Sequence, residues 1–248
     1  MKLLITFTLF FSQSVFSFTL NPDTGQGFDD NKINIHIATT SCAGAGFSTS
    51  TLSSMVNEAI DKYWNAVPTS ALYLKNKGVG SINIDGDSFS SALNKVSVGT
   101  ILAGCNDDVS DFSSPSILGA AVMNCSSSKC KAVLILNANN SALNNMSRSE
   151  RVAVIAHELG HAFGLGHSEY THNLMYYSTG SKKQKWLGED DIDGVSYLYP
   201  HAPQMASLLG SCGTIDLTPD KRNYFWISLL LGLLITIFIP IDRFLRFK

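Results

Sequence analysis

Charged side chains are scarce in this 248-residue chain: Asp, Glu, Lys and Arg together make up 15% of it. With 45% hydrophobic and 10% aromatic residues, so low a charge excludes disorder and leaves enough material for a sizeable core. An excess of positive charge is also missing. Eighteen Lys and Arg against twenty Asp and Glu give a formal net charge of -2, which excludes a generally basic nucleic-acid binder. No internal repeat is evident, and the length admits one large domain or two small ones.

The even balance hides an uneven distribution. Residues 18–220 hold twelve basic and nineteen acidic residues, and the remaining positive charge lies at the two ends, beside the most apolar stretches. The N-terminal MKLLITFTLFFSQSVFS has a cation at Lys2, an apolar run from Leu3 to Phe11, and Val15 and Ser17 at the small-residue positions. That order is the layout of a secretory signal peptide cleaved after Ser17. Phe225–Ile241 is uncharged and is followed by Asp242, Arg243, Arg246 and Lys248. At a 1.5 Å rise per residue it spans roughly 25 Å, the short end of what crosses a bilayer, with the basic tail left in the cytoplasm. The same arrangement after Gly210-Ser211-Cys212-Gly213 resembles bacterial C-terminal sorting signals, so retention and processing of this helix both stay open.

The expected layout is a signal peptide at 1–17, an exposed leader at 18–31, a folded domain at 32–204, a linker at 205–223, a transmembrane helix at 224–241 and a basic tail at 242–248. Export makes disulfides available to the five cysteines. Cys125 and Cys130 bracket the polar turn 126–129 and are placed to close a hairpin; Cys42 with Cys105 is then the remaining pair by elimination, and Cys212 is left over.

Within the folded region, KINIHIA (32–38) alternates as a strand with Ile33, Ile35 and Ile37 on one face. Leu52, Met55, Val56, Ala59, Ile60, Tyr63, Trp64 and Val67 follow helical spacing, with caps at 48–51 and a stop at Pro68. A strand is expected near 81–84, then a solvated polar stretch to Ser116. Its Asp85, Asp87, Asp107, Asp108 and Asp111 lack the spacing of a calcium loop, so calcium is possible but unsupported. Ile117–Met123 and Lys131–Leu136 read as two strands joined by the Cys125–Cys130 turn. The succession describes an α/β or α+β domain.

The chemistry concentrates after a Ser147-x-x-Glu150 capping box, in RVAVIAHELGHAFGLGH. His157 and His161 are four apart, so both imidazoles leave one face of a helix within reach of a single ion. Gly164 lets the chain turn back, and His167 then supplies a third nitrogen. Three neutral histidines on Zn²⁺ leave a position for a water whose pKa falls towards about 7, and Glu158 is placed to take its proton.

His157-Glu158-x-x-His161-x-x-Gly164-x-x-His167 resembles the signature of metzincin zinc peptidases, and the following Asn173-Leu174-Met175-Tyr176 is similar to the matrixin branch. AIDKYWNAVP (59–68) and DDIDGVSYLY (190–199) resemble the first and last matrixin helices. The resemblance implies an α+β zincin-like fold: a mostly parallel twisted sheet with an antiparallel edge strand and an active-site helix. It implies a zinc endopeptidase acting on extended polypeptides, which the two ends of the chain place outside the cell or at its surface. Met175 becomes the structural methionine of a turn beneath the zinc, and Leu118, Gly119 and Ala120 belong to the edge strand on which substrate lies. Departures are equally informative. A Pro-Arg-Cys-Gly segment is missing, as is the pattern of the structural zinc and calcium loops. Two residues past Met175 stands Tyr177 where matrixins carry Pro; related metzincins place there a tyrosine that stabilises the transition state, and that role is hypothesised for Tyr177. His172 and Glu169 read as rim residues, and Asn124, Asn139 and Asn145 sit in N-x-Ser sequons.

Overall fold

The computed structural model describes residues 18–22, 24–106, 112–127, 129–177 and 186–201. The chain divides into two units, Met1–Ala202 and Pro203–Lys248, and every described residue belongs to the first. Among the described residues no helix is long and apolar enough to cross a membrane. The signal peptide (1–17), the transmembrane helix (224–241), Cys212 and the aspartates at 107, 108 and 111 all lie outside the described residues.

The first unit is built on one five-stranded sheet, in the order β2-β1-β3-β5-β4. The strands are β1 (Lys32–Ile37), β2 (Tyr73–Val79), β3 (Thr100–Asn106), β4 (Gly119–Ser126) and β5 (Lys129–Asn137). All are parallel except β4, which runs antiparallel to β5 at the edge of the sheet. The helices are α1 (Thr49–Lys62), α2 (Phe89–Asn94), α3 (Ser141–Asn145), α4 (Arg148–Ala162) and α5 (Glu189–Leu198). This is the mixed, mostly parallel sheet that the resemblance implied.

Two apolar layers cover the two faces of the sheet. Ile33, Ile35, Ala132, Leu134 and Leu136 pack into the larger layer with α1 and α4. Val133 and Ile135 face the smaller one with Leu102, Ala92 and Leu93. Burial on both faces explains why KAVLIL does not alternate: a strand covered on both sides has no polar face to show. The hairpin read from the sequence is present, closed by Cys125–Cys130 across β4 and β5, and Cys42–Cys105 joins the segment after β1 to the end of β3.

Four expectations change. The strand expected at 81–84 lies instead at Tyr73–Val79. There only Leu74 is buried while Lys75 and Lys77 point to solvent, so an edge strand hides behind polar residues. Residues 81–84 are tied to the end of β1 by single bonds, Thr39 N–H to Ile82 O at 2.8 Å and Ile84 N–H to Thr40 Oγ1 at 2.9 Å. The supposed polar stretch contains α2 and the buried β3. Small residues carry that strand: a Cβ on Gly104 would lie 2.7 Å from Ile84 Cδ1 and 3.0 Å from Ala38 Cβ, so bulk is excluded where hydrophobic pattern would have shown.

The other two concern ends. α1 stops at Lys62 rather than at Pro68, and a short 3₁₀ turn at Trp64–Ala66 follows. That turn lets the buried Trp64 donate its Nε1–H to Ala156 O at 2.8 Å, locking α1 onto α4. The leader is only partly exposed. Asn21 and Phe28 are buried, and Phe28 N–H donates to the Tyr199 hydroxyl at 2.9 Å.

Candidate metal centre

Helix α4 begins at the capping box read from the sequence: Ser147 Oγ accepts from Glu150 N–H, and the Glu150 carboxylate accepts from Ser147 N–H at 2.8 Å. Val152, Ile155, Ala156, Leu159 and Ala162 bury the helix against the sheet layer. His157 and His161 project from the last turns, His157 buried and His161 half-buried. Phe163 ends the helix, and Gly164 reverses the chain at φ +122°, a conformation side-chain-bearing residues resist. Leu165 N–H returns to Gly160 O at 2.9 Å, and His167 arrives opposite the other two.

The three imidazoles converge on one point. His161 Nε2 lies 3.1 Å from His157 Nε2 and 3.2 Å from His167 Nε2. The tautomers follow from the opposite nitrogens. His157 Nδ1 donates to Leu174 O at 2.7 Å and His161 Nδ1 to Leu165 O at 2.9 Å, since a carbonyl can only accept. In the neutral rings both Nε2 atoms therefore carry lone pairs, and two lone pairs at 3.1 Å repel unless a cation lies between them. A tetrahedral ion with Zn–N bonds of about 2.0–2.1 Å holds its nitrogens about 3.3–3.4 Å apart, close to the spacing found. The donor set fits zinc, and the Nδ1–carbonyl bonds are the outer contacts that metal-binding histidines ordinarily have.

The centre opens into a cleft of about 570 Å³. Glu158, buried at 5% exposure, lines it beside His157, and Leu118, just before β4, lines it with Gly119 and Ala120 at the start of that strand. Gly119 admits this approach: a Cβ there would lie 3.0 Å from Leu136 Cδ2 and 3.4 Å from Glu158 Cγ. Tyr177 also lines the cleft, well exposed, with its ring 6.4 Å from that of His167. The Tyr176 and Tyr177 rings are 4.6 Å apart, and a hydrogen bond to Tyr177 pushes the Tyr176 hydroxyl above its ordinary pKa. His172 and Glu169 are exposed outside the three-histidine group, His172 beside Tyr170. Asn124, Asn139 and Asn145 are exposed as well.

Met175 is buried beneath the helix; a Cβ on Gly160 would lie 2.4 Å from its Sδ. The sequence reading had no place for what holds this methionine. The Asp191 carboxylate accepts from Leu174 N–H at 2.7 Å, Met175 N–H at 3.1 Å and Gly188 N–H at 2.8 Å. Burial pushes the Asp191 carboxyl up, while those three donations pull it down. Next to it, Ser168 donates its hydroxyl to Asp190, tying the residue after His167 to α5. The only signal for Asp190 and Asp191 was their presence in a stretch similar to the last matrixin helix. Neither motif nor spacing marked them.

Comparison with known proteins adds to this picture. Residues 49–200 match the family described as Matrixin. Metalloendoproteinase 2-MMP of Arabidopsis thaliana is 42% identical over 52 residues, 21% of this chain and 14% of that protein. Matrix metalloproteinase-25 of Homo sapiens is 45% identical over 56 residues, 21% of this chain and 10% of that protein. Interstitial collagenase of Sus scrofa is 36% identical over 78 residues, 28% and 17% of the respective chains. The chain thus spans less than a fifth of the length of these relatives. Among solved structures, archaemetzincin from Methanopyrus kandleri gives a TM-score of 0.43 at 15% identity, covering 68% of this chain and 97% of that one.

Proposed function

Since the chain belongs to the matrixin family, we propose that it is a zinc-dependent endopeptidase cleaving extended polypeptides outside the cytoplasm. The observation that carries this reading is the convergence of three imidazole nitrogens, two of which, on His157 and His161, face each other with lone pairs fixed by their tautomers. His157, His161 and His167 are the residues that would hold the ion. Zinc bound there would act as a Lewis acid, polarising the scissile carbonyl and acidifying the attacking water.

The chain's own groups do the rest. Glu158 accepts the proton of the attacking water and later gives it to the departing amine. The β4 edge receives the substrate as an added strand. Asn137 N–H donates to Leu118 O at 2.9 Å, which sets the alternation: Leu118 and Ala120 turn their main-chain groups to β5, and Gly119 and Ala121 turn theirs outward. Tyr177, at the cleft beside His167, donates its hydroxyl to the oxygen that gains charge. On this reading Tyr177→Phe lowers kcat on the order of 10²-fold with little change in KM, measured on a fluorogenic peptide. An unchanged kcat would make Tyr177 only a wall of the cleft.

The two disulfides support an oxidising location, in keeping with a signal peptide at 1–17 and a membrane anchor at 224–241. The full reading is tested on purified protein by zinc analysis alongside digestion of a peptide library. One zinc per chain is expected, with internal peptide bonds cleaved, activity lost to a chelator and restored by zinc. A chain that takes up zinc and cleaves nothing would be a binding module on the same fold. Mass spectrometry of both mature termini tests the location.

A further inference from the structure

The cleft at the three histidines does not end at His167. A second cavity of about 620 Å³ opens beside it, and the two share Pro22, Gly166, His167 and Tyr177 as lining. The second cavity adds Ser168, Glu169 and Tyr176. Among the described residues no Lys or Arg lines either space, and each holds one carboxylate, Glu158 in the first and Glu169 in the second.

These groups are not equally available. Glu158 is buried and assigned to proton transfer. The Ser168 hydroxyl donates to Asp190 and accepts from Asn173 Nδ2 at 2.8 Å and Tyr170 N–H at 3.2 Å, so it has nothing left to offer. Glu169 is exposed, and the ion pairs found among the described residues, Lys95 with Asp87 and Arg148 with Glu58, do not involve it. Beside it stand two phenol rings, Tyr176 half-buried and Tyr177 63% exposed, with centroids 4.6 Å apart and planes tilted by 47°. A carboxylate next to open ring faces suits a cation. A guanidinium can lie over a tyrosine ring and pair with the carboxylate through two N–H donors, and an ammonium can do both less specifically. An acidic side chain would instead meet a like charge. Glu169 follows His167 by two residues, so its Cα lies within about 7 Å of that of the histidine. A substrate strand advances about 3.3 Å per residue, which places the matching side chain within two or three residues of the bond held at the metal centre.

We propose that this second cavity is a subsite for a basic side chain of the substrate, with Glu169 as the specificity-determining residue and the Tyr176 ring as its aromatic wall. The inference rests on the endopeptidase reading and names a substrate class for it: polypeptides carrying Arg or Lys close to the cleaved bond.

The test uses the full-length, zinc-loaded chain and fluorogenic peptides of one sequence, with Met, Arg or Glu in turn at each of the three positions either side of the cleaved bond. Two ratios are read, kcat/KM for Arg against Met in the parent, and equilibrium affinity for the same pair in the Glu158→Gln background by fluorescence anisotropy. At one position Arg should exceed Met roughly fivefold, the size of an exposed ion pair joined to an exposed cation–π contact. Glu should fall below Met there, and the Arg advantage should shrink as salt is raised. Glu169→Gln keeps the shape and should bring the Arg-to-Met ratio within about twofold of unity. Glu169→Lys should place Glu above Arg, and Tyr176→Leu should give an intermediate ratio. A merely structural role of Glu169 would scale all three peptides alike and leave the ratios unchanged. An Arg advantage under twofold at every position, or one that Glu169→Gln leaves intact, overturns the subsite while cleavage itself upholds the endopeptidase reading. A Glu169-dependent binding ratio in a chain that cleaves none of the peptides would uphold the subsite and overturn the endopeptidase reading instead. A chain that neither binds nor cleaves them overturns both.

Discussion

Glu158→Gln is expected to keep its zinc and lose proteolysis. The substitution preserves shape inside a buried position at 5% exposure, so the neighbouring His157 and the Gly119 wall have nothing to adjust to. An amide cannot take a proton from water at neutral pH, nor return one to a leaving amine. General-base contributions of about 10²–10⁴ in rate set the scale, and because Glu158 would act in both proton transfers the upper end is expected. KM should change little, since substrate binding is assigned to the β4 edge and not to the carboxylate. Steady-state kinetics on a peptide cleaved by the parent, with zinc content measured on the same preparation, decide the outcome. Cleavage persisting within tenfold of the parent would sink the assignment of Glu158, and loss of zinc would move Glu158 into the metal site itself.

That prediction was legible in the sequence because everything it uses is local. His157, Glu158 and His161 are related by one helical turn, and the cap at Ser147 fixes where the helix starts. Gly164 and His167 extend the same logic by six residues. The hairpin of β4 and β5 was equally visible, with adjacent strands and a cysteine pair at its tip. What stayed hidden depends on partners far away in the chain. The central β3 is buried through Ala103, Gly104 and Cys105, small because the neighbours Ala38, Ile84 and Cys42 leave no room, and small residues carry no strong period. In β2 the two lysines masked a strand whose position is set by pairing with β1. Residues 18–22 are too few to show a period, mixing Phe18 and Leu20 with Thr19 and Asn21, and nothing in them foretells a bridge to Leu165. The support of the site was unreadable for the same reason: an aspartate that accepts three main-chain N–H groups looks like any other acidic residue at a helix start.

That aspartate gives the second large effect. Asp191→Ala should destabilise the fold and loosen the metal centre together. The side chain is buried at 1% exposure, and its removal leaves the N–H groups of Leu174, Met175 and Gly188 without their acceptor. At about 1–3 kcal/mol for each buried donor left unpaired, partly offset by water entering the space, a loss of about 3–5 kcal/mol is expected. For a unit of this size that corresponds to a fall of roughly 10 °C in melting temperature. The effect reaches the histidines because Leu174 presents both groups: its N–H is held by Asp191 while its carbonyl orients the His157 ring at 2.7 Å. Zinc affinity should therefore fall with stability, by about tenfold or more. Asp191→Asn separates the two faces of the argument. It keeps one oxygen acceptor and should cost less, but it removes a titrating group. Because burial raises the native carboxyl above its ordinary value of 3.8, the native state holds the proton to higher pH than the unfolded chain. The stability from that proton is complete below the ordinary value and is lost as pH rises through the raised one. Urea unfolding across that acidic range should show the decline in the parent and a flatter profile in Asp191→Asn. A profile identical in the two, with Asp191→Ala as stable as the parent, would remove Asp191 from the support of the site.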